Sequence, residues 1–179
     1  MLLATLANDE LYLECIHLAM QSKGKEERYG SIVVKEGEVI GKGWNRAVSH
    51  PSFRQKLQRV IRQGWVNHAE IEAMNDALEH DSIEDADIYV AGYFPQNGQL
   101  FFKRDYTCVR CPPHMKEYGI RNVYVPIPEE WLQKSISDAE TEARKYINGT
   151  HEKRVRAVIR GYSIQSIVHD LLNPSSGDF

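Results

Sequence analysis

The chain has 179 residues, enough for one domain with a real hydrophobic core and short for two. Its 42% hydrophobic and 26% charged residues exclude the disordered and fibrous classes. A formal net charge of -3 speaks against a dedicated polynucleotide binder, which carries a basic excess, and favours a small substrate. The start M-L-L-A-T-L-A-N-D-E lacks the basic segment of a secretory signal, and no stretch approaches the roughly 20 apolar residues of a membrane span. A cytoplasmic protein with no membrane partner is therefore expected. In such a reducing compartment a C-x-x-C spacing reads as metal-binding or redox chemistry rather than a structural disulfide.

Leu11, Cys15, Leu18 and Ala19 recur at helical spacing behind Asn8 or Asp9 as cap, which predicts a first helix over 9–22 with Cys15 as a small core residue. Residues 23–29 read as a polar loop. S-I-V-V-K and E-V-I-G-K-G flank Glu36-Gly37 and predict a hairpin whose first strand starts at Ser31 and whose second runs into G-W-N-R. Residues 52–63 place Phe53, Leu57, Val60 and Ile61 on one stripe and Arg54, Lys56, Arg59 and Arg62 largely off it, the pattern of a short basic amphipathic helix.

A second strongly periodic helix is predicted from Ala69 to about His80, with Ile71, Met74 and Leu78 inward, followed by the apolar strand D-I-Y-V-A-G-Y. P-Q-N-G-Q is turn chemistry, and L-F-F-K extends a local ribbon. Val109 to Tyr118 reads as a helix stopped by Gly119, with Pro112 and Pro113 tolerable in its first turn, where backbone N–H groups lack helical partners. R-N-V-Y-V-P supplies a further strand. Residues 129–147 are expected to be helical, Asn148-Gly149 to break them, 151–172 to resume as one or two helices, and the tail P-S-S-G-D-F to be disordered. This order implies an α/β domain, a mixed sheet of about five strands between helical layers, over 1–147, with 148–179 as a helical extension packed on it.

One constellation carries chemistry. Zinc takes thiolate and imidazole ligands, and a catalytic zinc keeps a fourth position open for water; His68, Cys108 and Cys111 form such a set. The C-x-x-C stands at a helix start, where the helix dipole and a metal both favour the thiolate. Glu70, two residues beyond His68, is a candidate acid/base beside the metal's water. H-x-E followed by P-C-x-x-C is the signature of zinc deaminases of nucleobases, and H-A-E with T-C-V-R-C fits it except for Thr107 in place of proline.

On these motifs the stretch from Ser31 to Val125 resembles the cytidine and deoxycytidylate deaminase superfamily, and G-W-N-R at 43–46 resembles the corresponding stretch of tRNA adenosine deaminases. The resemblance implies a three-layer α/β/α cytidine-deaminase-like fold and hydrolytic loss of ammonia, with Glu70 protonating the ring and assisting the leaving amine. It further implies that Asn45 contacts the sugar, that the Ala69 N–H binds a ring substituent, and that Thr107 shapes the pocket wall. Members of the superfamily commonly assemble, so a homo-oligomer is expected. The long segment between G-W-N-R and H-A-E resembles the insertion of deoxycytidylate deaminases, and one of Arg46, Arg54, Arg59 or Arg62 is a candidate for holding a phosphate. These features select CMP or dCMP as substrate.

The alternatives are an editing deaminase acting on tRNA or single-stranded DNA, for which the basic H-E-K-R-V-R-A-V-I-R speaks, and a catalytically silent zinc module. A structural zinc site would need a fourth ligand, with His114 as candidate, and a thioredoxin-like redox site would leave H-A-E unexplained.

Overall fold

Asp9 caps the first helix through a 2.8 Å hydrogen bond that Tyr12 N donates to its Oδ1, and α1 runs Glu10–Gln21 in this computed structural model, which describes residues 9–25, 27–46, 68–98, 100–101, 111–127 and 130–147. Tyr12, Cys15, Ile16, Leu18 and Ala19 form its buried stripe. Cys15 is the expected core residue: it is fully buried, and burial, with the charges of Glu14 and Asp9, pushes its thiol well above the ordinary range.

The hairpin follows as β1 (Arg28–Lys35) and β2 (Glu38–Trp44), joined by Glu36 and Gly37, both with positive φ (53° and 86°), as a two-residue hairpin turn requires. β1 begins three residues before Ser31, so the end of the expected 23–29 loop is strand. Arg28 and Tyr29 pair with Tyr93 and Gly92, and this remote pairing overrides their polar surroundings. The remaining elements are α2 (Ala69–His80), β3 (Asp87–Tyr93), β4 (Leu100–Phe101), α3 (Cys111–Glu117), β5 (Asn122–Pro126), β6 (Trp131–Ser135) and α4 (Ile136–Ile147). Pro112 and Pro113 fall in the first turn of α3, and Gly119 ends that unit at φ 76°.

The sheet order is β2-β1-β3-β5-β6, with β4 paired to β3. β3 and β5 are parallel, and every other pairing is antiparallel, so the sheet is mixed. Alternation along the strands divides the core into two. Val33, Ile88, Val90, Val123 and Val125 face α2, α3 and α4, while Ile32, Ala91 and Tyr93 face α1. The result is the expected three-layer α/β/α arrangement.

The expected helix over 129–147 is corrected: its first part is β6, which pairs antiparallel with β5 from Pro126↔Trp131 to Asn122↔Ser135. Trp131 meets the rings of Tyr89 and Tyr12 edge-on at 5.0 and 5.8 Å and donates from Nε1 to Asp9 Oδ1 at 3.1 Å. Those contacts hold W-L-Q-K-S extended although leucine, glutamine and lysine favour helix. Ser135 then caps α4, its Oγ accepting from Asp138 N at 3.1 Å.

Two glycines bring β2 against α2. A Cβ on Gly43 would stand 2.3 Å from Ala73 N and 2.6 Å from Ala69 O, and one on Gly41 2.4 Å from Ala73 O. Backbone atoms cannot yield as a flexible side chain does. Gly43→Val is therefore expected to lose about 3 kcal/mol or more, at the upper end of overpacking costs, read as a fall in the urea midpoint. An unchanged midpoint would show that α2 does not need this close approach.

The basic segment 52–63 with Arg54, Lys56, Arg59 and Arg62, the residues Thr107 and Cys108, and the expected helices and tail after 147 lie outside the described residues. Among the described residues no helix is long and apolar enough to cross a membrane.

Candidate active site

β1 is antiparallel to both β2 and β3, so β2 and β3 run in the same direction, and α2 crosses between them. α3 crosses in turn from β3 to the parallel β5. Gly30 lies opposite both Trp44 and Ala91, so β2 and β3 end at one edge of the sheet. α2 and α3 cover the same face and both start from that edge. Crossovers of this kind bring helix N-termini together beyond the carboxyl ends of the strands, where α/β folds bind ligands.

His68 is the N-cap residue of α2, in extended conformation (φ -74°, ψ 148°) and without a side-chain capping bond, and Cys111 opens α3. His68 Nδ1 stands 3.5 Å from Cys111 Sγ. Glu70, on the first turn of α2, completes the cluster: one donor atom from each of His68, Glu70 and Cys111 lies within 4.8 Å of the others. Glu70 and Cys111 are buried, with 5% and 0% exposure, and His68 is partly exposed.

The donor set fits zinc. Tetrahedral ligands at about 2.3 Å for sulfur and 2.0 Å for nitrogen stand about 3.5 Å apart, which is the separation of Sγ and Nδ1. A cysteine sulfur and an imidazole in one part-buried cluster, with a carboxylate beside them, are chemically suited to that ion. His114 is not in this cluster; its Nδ1 lies 3.9 Å from Glu117 Oε2, one turn along α3.

Of the remaining expected residues, Ala69, Asn45 and Arg46 are among those described. Ala69 is the first residue of α2, so its N–H has no carbonyl one turn back within the helix. Asn45 follows the last residue of β2, and its side chain is engaged with the backbone: Oδ1 accepts from Tyr29 N at 2.8 Å and Nδ2 donates to Glu27 O at 3.1 Å. Ser22 Oγ donates to Asn45 O at 2.8 Å, so Asn45 latches the α1–β1 connection to the end of β2. Arg46 lies with its guanidinium carbon 4.0 Å over the Trp44 ring and its Nε 3.3 Å from Glu72 Oε2. Glu72 escaped sequence reasoning. The signal was a carboxylate within a run whose neighbours Ile71, Ala73 and Met74 are all core residues.

The family model for the cytidine and deoxycytidylate deaminase zinc-binding region matches residues 6–127, more than half of the chain. No curated protein matches at a significant level. Among solved structures, the dCMP deaminase of cyanophage S-TIM5 in apo form is 21% identical with a TM-score of 0.34, over 53% of this chain and 62% of that one. The same phage enzyme in complex with dCMP and dUMP is 20% identical with a TM-score of 0.39, over 67% and 76%. A diaminohydroxyphosphoribosylaminopyrimidine deaminase/5-amino-6-(5-phosphoribosylamino)uracil reductase from Thermotoga maritima is 20% identical with a TM-score of 0.39, over 68% of this chain and 29% of that one. The chain thus spans less than two thirds of the first of these and less than one third of the last. These superpositions are loose, and membership rests on the family match alone. With that match extending through His68, Glu70 and Cys111, the chain belongs to the cytidine and deoxycytidylate deaminase family, and its metal is zinc.

Proposed function

We propose that this protein is a hydrolytic deaminase of a free cytosine nucleotide, converting CMP or dCMP and water to UMP or dUMP and ammonia. The observation that carries the reading is the 3.5 Å approach of His68 Nδ1 to Cys111 Sγ with the Glu70 carboxylate beside them. In this reading His68, Cys108 and Cys111 hold the ion, which when bound supplies the Lewis acidity that makes water a nucleophile near neutral pH.

The chain's own residues do the rest. Glu70, buried and close to both donors, accepts a proton from the attacking water, delivers it to the ring nitrogen, and then supports the departing amine. The Ala69 N–H orients the base by a hydrogen bond to a ring substituent. Asn45 takes the sugar side with the capacity left by its two backbone bonds, and Thr107 forms part of the wall. Arg46 or one of Arg54, Arg59 and Arg62 takes the phosphate, which a planar guanidinium matches bidentately. The basic stretch of the 47–67 segment supports a nucleotide over a nucleoside.

We further propose that residues 1–147 form the deaminase domain, that it works as a homo-oligomer in the cytoplasm, and that 148–179 pack on it. Ammonia release across free bases, nucleosides, nucleotides and short RNA tests the substrate. CMP or dCMP is expected to exceed cytidine by at least about tenfold in kcat/KM, the discrimination of one charged contact of roughly 1.5–3 kcal/mol. Equal turnover of cytidine would remove the phosphate from the reading, and turnover of RNA alone would make the protein an editing enzyme.

A further inference from the structure

Arg46 is the last described residue of the β2 arm and His68 the first of the α2 arm, so they stand at the two ends of the 47–67 segment. A charge pair with its carboxylate buried joins these arms. The Glu72 side chain is 1% exposed, and Arg46, itself 22% exposed, approaches it as an ion pair rather than through a directed hydrogen bond. The Trp44 ring supports the guanidinium from the other side. A carboxylate at this depth is costly unless a cation answers it, so the two arms are held together by more than chain connectivity.

Two features connect this pair to the chemistry. Glu72 N donates to His68 O at 3.1 Å, so the residue bearing the buried carboxylate also closes the turn that holds His68. Residues two apart on a helix lie about 200° apart around it, so while Glu70 reaches towards Cys111, Glu72 reaches towards the end of β2. Arg46 adjoins Asn45 in sequence. The pair therefore bridges the strand end that carries Asn45 and the helical turn that carries His68 and Glu70.

We propose that Glu72 and Arg46 are positioning residues: their ion pair sets the span between the sugar side and the base side of the active site and steadies the turn presenting His68. The first half rests on the nucleotide deaminase reading; the second depends only on the metal. A pair that served stability alone could be exchanged for packed apolar residues at little cost, because such exchanges at buried ion pairs are often neutral or stabilising. A pair that sets geometry could not.

The test compares Glu72→Gln, Arg46→Met and the double variant Glu72→Met/Arg46→Met as zinc-loaded full-length protein. Glu72→Gln keeps the side-chain shape and removes the charge. It is expected to lower kcat/KM for dCMP at least about tenfold, chiefly through KM, and to weaken zinc about tenfold in competition with a chelator, the lower end of losses seen on removing outer-shell support. Arg46→Met removes the cation that faces Glu72 and should lower Tm more than the double variant does, while the double variant keeps an about tenfold weaker zinc affinity despite its recovered Tm. A double variant with wild-type zinc affinity would overturn the proposal, as would Glu72→Gln with wild-type kcat/KM and wild-type zinc affinity. If the wild type deaminates no nucleotide, the functional reading fails by itself, and zinc competition decides the pair's role: unchanged affinity in Glu72→Gln overturns it.

Discussion

Glu70→Ala is expected to keep its zinc and lose turnover by about 10³-fold or more, within the range attributed to a positioned general acid and base. The basis is local. Glu70 is 5% exposed, stands on the first turn of a helix whose N-cap residue is His68, and lies with His68 and Cys111 in one cluster. A buried carboxylate there has two possible uses, ligand or proton carrier, and the variant separates them. A ligand's removal would lower zinc affinity along with activity; a proton carrier's removal would leave zinc affinity unchanged. Glu70→Gln sharpens the comparison, since it keeps the shape of the side chain and cannot carry the proton. Metal analysis and ammonia release on the same preparations read both quantities. Zinc loss in Glu70→Ala would make Glu70 a ligand, and undiminished turnover would remove it from the chemistry.

Cys111→Ser is expected to release zinc and uncouple stability from the metal. Cys111 is fully buried and opens α3, with its sulfur 3.5 Å from His68 Nδ1, so the ion would tie the start of α3 to the start of α2. A ligand bound only by the folded state stabilises by about 4 kcal/mol when present at 1,000 times its Kd, and in a chain of this size that is roughly 10 °C in Tm. Chelation should therefore lower the wild-type Tm by about that amount and leave the variant's Tm unchanged. A chelator-induced shift of equal size in both proteins would place the stabilising metal elsewhere.

Much of the fold was legible because its signals are short-ranged. The helical period over Ala69–His80, the Glu36-Gly37 turn, the apolar run Asp87–Tyr93 and the prolines that open α3 each lie within a dozen residues; the first three formed as read, and α3, at Cys111–Glu117, falls inside the Val109–Tyr118 expected of it. β6 was not legible. W-L-Q-K-S merges into the helical period of the residues after it, and what makes it a strand is its ladder with β5 and the seat of Trp131 between Tyr89, Tyr12 and Asp9. A cap signature was present in S-I-S-D, where Ser135 and Asp138 stand at the positions that close a helix start.

The site divides along the same line. H-A-E and C-x-x-C name imidazole, carboxylate and thiolate donors, and donor chemistry is a property of side-chain type that any fold would retain. The surroundings depended on remote packing. Gly41 and Gly43 admit α2 against β2, Asn45 is taken up by Tyr29 and Glu27, and Arg46 is drawn to a carboxylate 26 positions along the chain. The sequence by itself determined which groups could bind the metal and move the proton, because each group's chemistry resides in its own atoms. The tertiary structure alone decided which of them meet and which polar groups are already occupied, because burial and pairing are set by neighbours that the chain supplies from far away.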